Sequence, residues 1–293
     1  MVDLKLVLFR WFARRFARMS ASARLRWAQR LMPVIKPLIK KRRKIMARNI
    51  ALCFPEMTAA ERETLLNASL VANAKGVLDG LHAWYAPTFD IEDNYRLVGE
   101  AHLLAAFGKG EGVVVLCAHY PGGEQHMRMV RQLSGVSILP MVRAFRNIAL
   151  DDEVNAQRTQ HLGGVIARDD VRGFTAAVRR GDGTFYAPDV NVRTRNVFVP
   201  FFGVQASTLD SMSVILRRAG GAVIPGWAKP LPDGRYEVTF ESPWADFPSK
   251  DGAADALRFT QWVESKLREC PEAYDWGTKR FKTRPSGEVD LYA

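Results

Sequence analysis

The sequence predicts an α/β domain: a mainly parallel, twisted sheet flanked by helices, preceded by an amphipathic helical arm. Three observations carry this. From Tyr95 onward, short apolar runs alternate with helical stretches of about a dozen residues, the pattern of repeated βα units. The run Val113-Val114-Val115-Leu116-Cys117 is apolar at every position, as a strand buried on both faces must be. The positive charge sits at one end: the 293 residues carry +11, but residues 1–48 hold 15 Lys or Arg against the single acid Asp3, net +14, leaving −3 for the rest. That distribution, without a nucleic-acid motif, argues against nucleic acid as a partner.

The arm comes first. Leu4, Val7, Leu8, Trp11, Phe12, Phe16 and Met19 recur at three- to four-residue spacing, with Lys5, Arg10, Arg14 and Arg18 on other faces. Leu25 to Met32 repeats the pattern, and Lys40-Lys41-Arg42-Arg43-Lys44 follows Pro33 and Pro37. No charge-free stretch is long enough to span a bilayer, and Arg residues interrupt anything resembling a secretory signal. Two readings stand. The arm lies at a membrane interface with its cations on anionic lipid, or it packs on its own domain with a solvated basic face.

The domain then runs in order. Thr58-Ala59-Ala60-Glu61 is a capping box, opening a helix to about Trp84, near whose end His82 reads as structural. Strands are expected at Tyr95–Val98, Val113–Cys117, Val136–Val142, Val165–Ala167, Thr184–Ala187, Val197–Val199, Ala222–Trp227 and Tyr236–Glu241. Helices are expected at Ala101–Phe107, Gln125–Leu133, Ile148–Leu162, Val171–Arg180, Ser207–Ala219 and Ala253–Arg268. Strand order is not readable. The three cysteines, Cys53, Cys117 and Cys270, are odd in number and lack metal-ligand spacing, which fits a reducing compartment.

The chemistry gathers after the central strand. His119 ends it, Pro121-Gly122-Gly123 turns the chain, and Glu124 begins the next helix. Open α/β sheets place their sites at such strand ends. If the turn folds Glu124 back onto His119, the carboxylate fixes the imidazole tautomer and raises the basicity of the other ring nitrogen. That nitrogen then deprotonates a substrate alcohol. Zinc is a poor fit: His126 is seven residues on and His-Glu-x-x-His is missing. No metal and no cofactor are expected. Arg143, Arg158, Arg193 and Arg195 lie at or near strand ends, where guanidinium groups suit phosphate or carboxylate. Each also reads as an ordinary surface ion-pair residue. Phe201 and Phe202 read as core or as an apolar wall.

Taken in order, several motifs resemble the late, or secondary, acyltransferases of lipid A biosynthesis, the lauroyl/myristoyl transferases. They are Arg48-Asn49 through Cys53-Phe54-Pro55-Glu56; His119-x-x-x-x-Glu124; Tyr186-Ala187-Pro188-Asp189; Phe198-Val199-Pro200-Phe201-Phe202-Gly203 with Ala206-Ser207-Thr208; and Trp276-Gly277-Thr278-Lys279-Arg280-Phe281-Lys282-Thr283-Arg284-Pro285. The resemblance covers nearly the whole chain. It implies a glycerophospholipid-acyltransferase-like fold at the cytoplasmic face of an inner membrane. It implies acyl transfer from acyl–acyl carrier protein, or acyl-CoA, to a hydroxyl on a hydroxyacyl chain of a lipid A precursor. It also implies His119 as base, Glu124 as its partner, and Arg158 and Asp189 as further site residues, with Arg143 a looser match. On this reading residues 1–48 are a membrane-associating arm and residues 49–293 the catalytic domain. The sequence departs from the family twice. Asn191 stands where many members carry a second acid, and the arm is too Arg-rich to span, which favours peripheral attachment. A glycerolipid or ornithine-lipid acyltransferase, or a non-catalytic membrane-binding relative, would share most of these features.

Overall fold

The computed structural model describes residues 4–293. Four helices come first: α1 (Leu4–Ala17), α2 (Ala21–Leu38), α3 (Lys40–Cys53) and α4 (Ala59–Tyr85). α3 was not among the expected helices, and it carries residues 48 and 49 within one element. The capping box forms as expected: Thr58 accepts from the Glu61 N–H while Glu61 accepts from the Thr58 N–H. Arg128 closes the other end of α4, donating to the carbonyls of Ala83 and Ala86.

The remaining elements are β1 (Tyr95–Val98), α5 (Glu100–Gly108), β2 (Val113–Leu116), α6 (Gly123–Ser134), β3 (Met141–Val142), α7 (Ile148–Leu162), β4 (Ile166–Ala167), α8 (Val171–Arg179), β5 (Gly183–Tyr186), β6 (Asn196–Phe201), β7 (Val204–Leu209), α9 (Met212–Ala219), β8 (Ala222–Pro230), β9 (Tyr236–Phe240) and α10 (Gly252–Glu269). The main sheet has the order β1-β9-β8-β2-β5. All its pairings are parallel except β8 with β9. An α/β architecture with a mostly parallel sheet is therefore what the chain adopts.

The central run owes its continuous apolarity to a core on each side of the sheet. Val114 and Leu116 face one, with Leu66, Phe174, Leu216, Phe259 and Trp276; Val113 and Val115 face the other, with Leu103, Met129 and Phe240. Each such side chain taken from water contributes about 1.5–3 kcal/mol before the entropy of ordering is subtracted.

Two expectations need correction. The stretch Ser207–Ala219 is not one helix: Val204–Leu209 pairs antiparallel with β6, and α9 starts only at Met212. The hairpin turns on Phe202 and Gly203, both at positive φ (51° and 75°), as a two-residue turn of this hand requires. Phe202 tolerates that backbone because Glu264 accepts its N–H at 2.6 Å and its ring packs on Phe54 and Trp276. Phe201 and Phe202 are thus core. The second correction concerns Val136–Val142, of which only Met141–Val142 forms a strand, paired with β4. Ser137 to Leu139 instead bond to Gly183 at the edge of β5.

The arm packs on α4 through small residues. Ala13, Ala17, Ala21 and Ala28 are buried, while Leu4, Leu8, Trp11 and Phe12 stay exposed. Arg24 enters the interior from α2. Its Nε donates to Asp79 at 2.7 Å, and Lys75 and Tyr236 donate to the other oxygen of that carboxylate, each at 2.7 Å. Burial alone would raise the Asp79 carboxyl, but Lys75 and Arg24 hold it below its ordinary range. No helix is long and apolar enough to cross a membrane among the described residues.

Candidate active site

β2 and β5 are parallel neighbours in a register that pairs Leu116 with Tyr186. His119 lies three residues beyond the first and Asp189 three beyond the second, so equal overhangs bring them together at the C-terminal edge. The Cys117 N–H reaches the Tyr186 carbonyl at 2.9 Å and holds the overhangs in step. The Asp189 carboxylate grips His119 twice: Oδ1 lies 2.7 Å from Nδ1, and Oδ2 accepts the His119 backbone N–H at 3.1 Å. Such a double hold fixes both position and tautomer, with the proton on Nδ1 and Nε2 left as the free nitrogen.

The expectation that Glu124 would be the partner of His119 is corrected here. The residues from Gly123 continue directly as α6, so the chain does not fold back, and Glu124 in its first turn meets other elements. Arg158 on α7 donates to both its oxygens, with Nε 3.0 Å from Oε1, and Trp84 on α4 donates from Nε1 at 3.2 Å. Arg158 is buried and also donates to Asn155 at 3.0 Å. The site therefore holds two separate carboxylate units. One is aligned by strand register and the other by three helices.

Close packing sets the turn between them. Gly122 adopts φ +83°, and a Cβ on Gly76 of α4 would come within 2.8 Å of the Gly122 nitrogen. His126 is buried and its Nε2 bonds to the Pro121 carbonyl at 3.1 Å, bracing the turn from below. Burial pushes its ring down to about 4, so it stays neutral and structural. His82 behaves likewise, at about 4, with Nδ1 on the Ala17 carbonyl at 2.8 Å.

His119 shifts the other way. The Asp189 charge, opposed by burial and reinforced by the hydrogen bond, pushes the ring up to about 9. Its side chain remains 49% exposed, so the ring exchanges protons with solvent. Burial alone would raise the Asp189 carboxyl, but His119 holds it below its ordinary range.

The C-terminal segment closes the site, and the sequence reading assigned none of its residues a role there. The Asp275 N–H donates to the His119 carbonyl at 2.9 Å, and Arg42 donates to the Asp275 carboxylate at 2.6 Å. Arg280 is buried near Asp189 and donates to the Ser207 carbonyl and the Thr208 hydroxyl at 2.7 and 2.6 Å. Asn191 exchanges hydrogen bonds with Thr283, tying the loop after Asp189 to this segment. Arg168, at the end of β4, also lies near enough to bear on the His119 charge. Of the other arginines singled out, Arg143 follows β3 and is exposed, and Arg193 and Arg195 are exposed on the loop before β6. Among the described residues none of these three forms an ion pair. The site motif in the tail was visible as Trp276 to Arg280; nothing in its local spacing showed that it closes over His119.

A histidine held by an aspartate at parallel strand ends and open to solvent is suited to take a proton from an alcohol. Comparison with known proteins identifies the class. Residues 5–283 match the family described as bacterial lipid A biosynthesis acyltransferase. The lipid A biosynthesis lauroyltransferase of Escherichia coli is 29% identical over 258 residues, covering 87% of this chain and 83% of that protein. The E. coli lipid A biosynthesis palmitoleoyltransferase is 27% identical over 90% of this chain and 86% of its own. A lipid A biosynthesis acyltransferase of Haemophilus influenzae is 31% identical over 84% of this chain and 79% of its own. The chain belongs to the bacterial lipid A biosynthesis acyltransferase family. It is an acyltransferase of lipid A, and hence lipopolysaccharide, biosynthesis.

Proposed function

We propose that the chain moves a fatty acyl group from acyl–acyl carrier protein, or acyl-CoA, to a hydroxyl of a hydroxyacyl chain on a lipid A precursor. We read its sheet as glycerophospholipid-acyltransferase-like, with residues 49–293 carrying the chemistry. The observation behind the mechanism is the double grip of Asp189 on His119. Nε2 of His119 takes the proton of the acceptor hydroxyl as its oxygen attacks the thioester carbonyl carbon. Asp189 stabilises the imidazolium that forms. The tetrahedral intermediate collapses, the C–S bond breaks, and the imidazolium returns its proton to the departing thiolate. The ester is formed without an acyl-enzyme. A backbone N–H near Gly122 or Gly123, at the start of α6, or an arginine, holds the oxyanion. Glu124 with Arg158 holds α4, α6 and α7 in register around the turn and so positions that backbone.

The arm serves attachment to the cytoplasmic face of the inner membrane as an interfacial element. α1 spends its alanines on α4 and leaves Leu4, Leu8, Trp11 and Phe12 outward beside Arg14 and Arg15, a face suited to anionic bilayer lipid. The test is to incubate the protein with acyl–acyl carrier protein or acyl-CoA and a lipid A precursor, and to weigh the lipid. A gain of one acyl group, absent with His119→Ala, is the expected result. Transfer only to glycerolipid or ornithine-lipid acceptors, or normal transfer by the variant, would overturn it.

A further inference from the structure

A hollow of about 360 Å³ lies away from the His119–Asp189 pair, lined by Lys41, Lys44, Ile45, Arg48, Lys279 and Tyr292, with Leu291 and Ala293 completing the wall. Its size is within the range of small-ligand sites, roughly 300–1,000 Å³. Lys41, Lys44 and Arg48 recur at i, i+3 and i+7 and so share one face of α3. Lys279 approaches from the C-terminal segment, its Nζ 5.1 Å from the Tyr292 ring centre. No acidic side chain lines the hollow. Among the described residues Arg42 and Arg43 pair with Asp275 and Glu63, while Lys41 and Lys44 form no ion pair.

The walls are held firmly. The Arg48 Nε donates to the Leu291 carbonyl at 2.6 Å, and the Tyr292 hydroxyl accepts the Phe281 N–H at 3.1 Å while bonding to Asn49. A second observation sharpens the charge imbalance. Lys40 to Lys44 fill the first five positions of α3, with no acid in its first turn and no side-chain cap at Ile39. Cations there oppose the helix dipole as well as one another. An anion in the hollow would offset both repulsions.

A chain of contacts links the surroundings of the hollow to His119. It shares Lys41 and Ile45 with a neighbouring depression of about 380 Å³ that runs past Leu38 and Ile39 to Arg42 and Gly277. Arg42 binds Asp275, whose N–H is on the His119 carbonyl. A ligand with an anionic head at Lys44 and an apolar body along Leu38 would therefore lie toward the active site. Concavity and apolar walls favour a compact headgroup over the broad face of an acidic protein.

We infer that the hollow formed by Lys41, Lys44, Arg48 and Lys279 seats a phosphomonoester group of the acceptor lipid. The identity of that lipid rests on the function proposed above; the phosphate chemistry rests on the hollow. Charge-assisted contacts to phosphate come from α3 and from Lys279, with the Tyr292 ring against the group that bears it.

The test measures equilibrium binding without any acyl donor, so that failure of acyl transfer leaves its readout standing. The probes are a phosphorylated glucosamine-disaccharide lipid in detergent micelles, the same lipid after phosphatase treatment, and inorganic phosphate alone. The protein should prefer the phosphorylated lipid by about ten-fold, and Lys41→Gln with Lys44→Gln should abolish that preference. Lys279→Gln, on the opposite wall, should reduce it independently of any effect on α3, and circular dichroism confirms the fold of each variant. No preference in the unaltered protein, or an unchanged preference in both variants, overturns the inference. So does inorganic phosphate binding as tightly as the lipid, which would make this a free-phosphate site. Weakened binding of acyl carrier protein with the lipid preference intact would assign the cations to that acidic partner instead.

Discussion

Two carboxylates flank the turn after His119, and they are held in different ways. Asp189 is 70 residues away in sequence but reaches the imidazole because two parallel strands end in step. Glu124 is only five residues away yet faces Arg158 and Trp84, because a helix begins at Gly123 and carries it off. Sheet register places chemistry more tightly than short spacing along the chain. The first carboxylate tunes a ring that is half open to solvent. The second neutralises an arginine buried between helices. On the function proposed above, the first unit serves proton transfer and the second holds shape.

Substitutions that separate the two units test this difference. The largest expected effect is that of His119→Ala, a loss of about three orders of magnitude or more in kcat in a protein that still folds, with a lower melting temperature because the buried Asp189 loses its partner. Asp189→Asn should cost about two to four orders in kcat, because the ring loses both its tautomer control and its counter-charge. If the two carboxylates were equivalent, Glu124→Gln would match it. Instead Glu124→Ala should lower stability by about 2–4 kcal/mol, seen in a denaturant titration, since it strands the buried Arg158 cation. Its rate loss should follow the loosened fold, and pairing it with Arg158→Met should recover part of the stability. The smallest effect on the fold is expected outside both units. Trp11→Ala with Phe12→Ala should change stability by less than about 0.5 kcal/mol. The same variant should bind anionic vesicles at least about ten-fold more weakly in a flotation assay.

The pair also gives stability a direction in pH. A histidine raised from its ordinary 6.5 to about 9 binds protons more tightly folded than unfolded. Its contribution is fully present below about 6.5 and fades as pH rises through about 9. Asp189→Asn removes that dependence, so the two proteins should converge in stability at the alkaline end of the range after allowance for the substitution itself.

Much of this was legible in the sequence, for reasons that differ from element to element. Val113 to Leu116 declared itself because a strand covered on both faces has no polar position. α4 announced its start through Thr58 and Glu61, whose reciprocal bonds are local. The hairpin at Phe202-Gly203 was hidden because an aromatic at positive φ is not a turn signal; its strain is relieved by Glu264, 62 residues away. The site divided along the same line. His119 was evident as the residue ending a core strand, but its true partner depended on which strands are neighbours, and strand order is written in packing. Asp275 and Arg280 escaped assignment for the same reason: their contacts to His119 and toward Asp189 span the length of the domain.

The proposed role of the Asp189–His119 pair is tested most directly by the pH dependence of kcat/KM for acyl transfer in the unaltered protein and in Asp189→Asn. The unaltered protein should show an acid limb well above the 6.5 of an ordinary histidine, because the base must first lose a proton that Asp189 retains. Asp189→Asn should move that limb to lower pH while reducing the plateau. A limb that stays in place, with the plateau intact, would contradict the assignment of His119 as a base governed by Asp189.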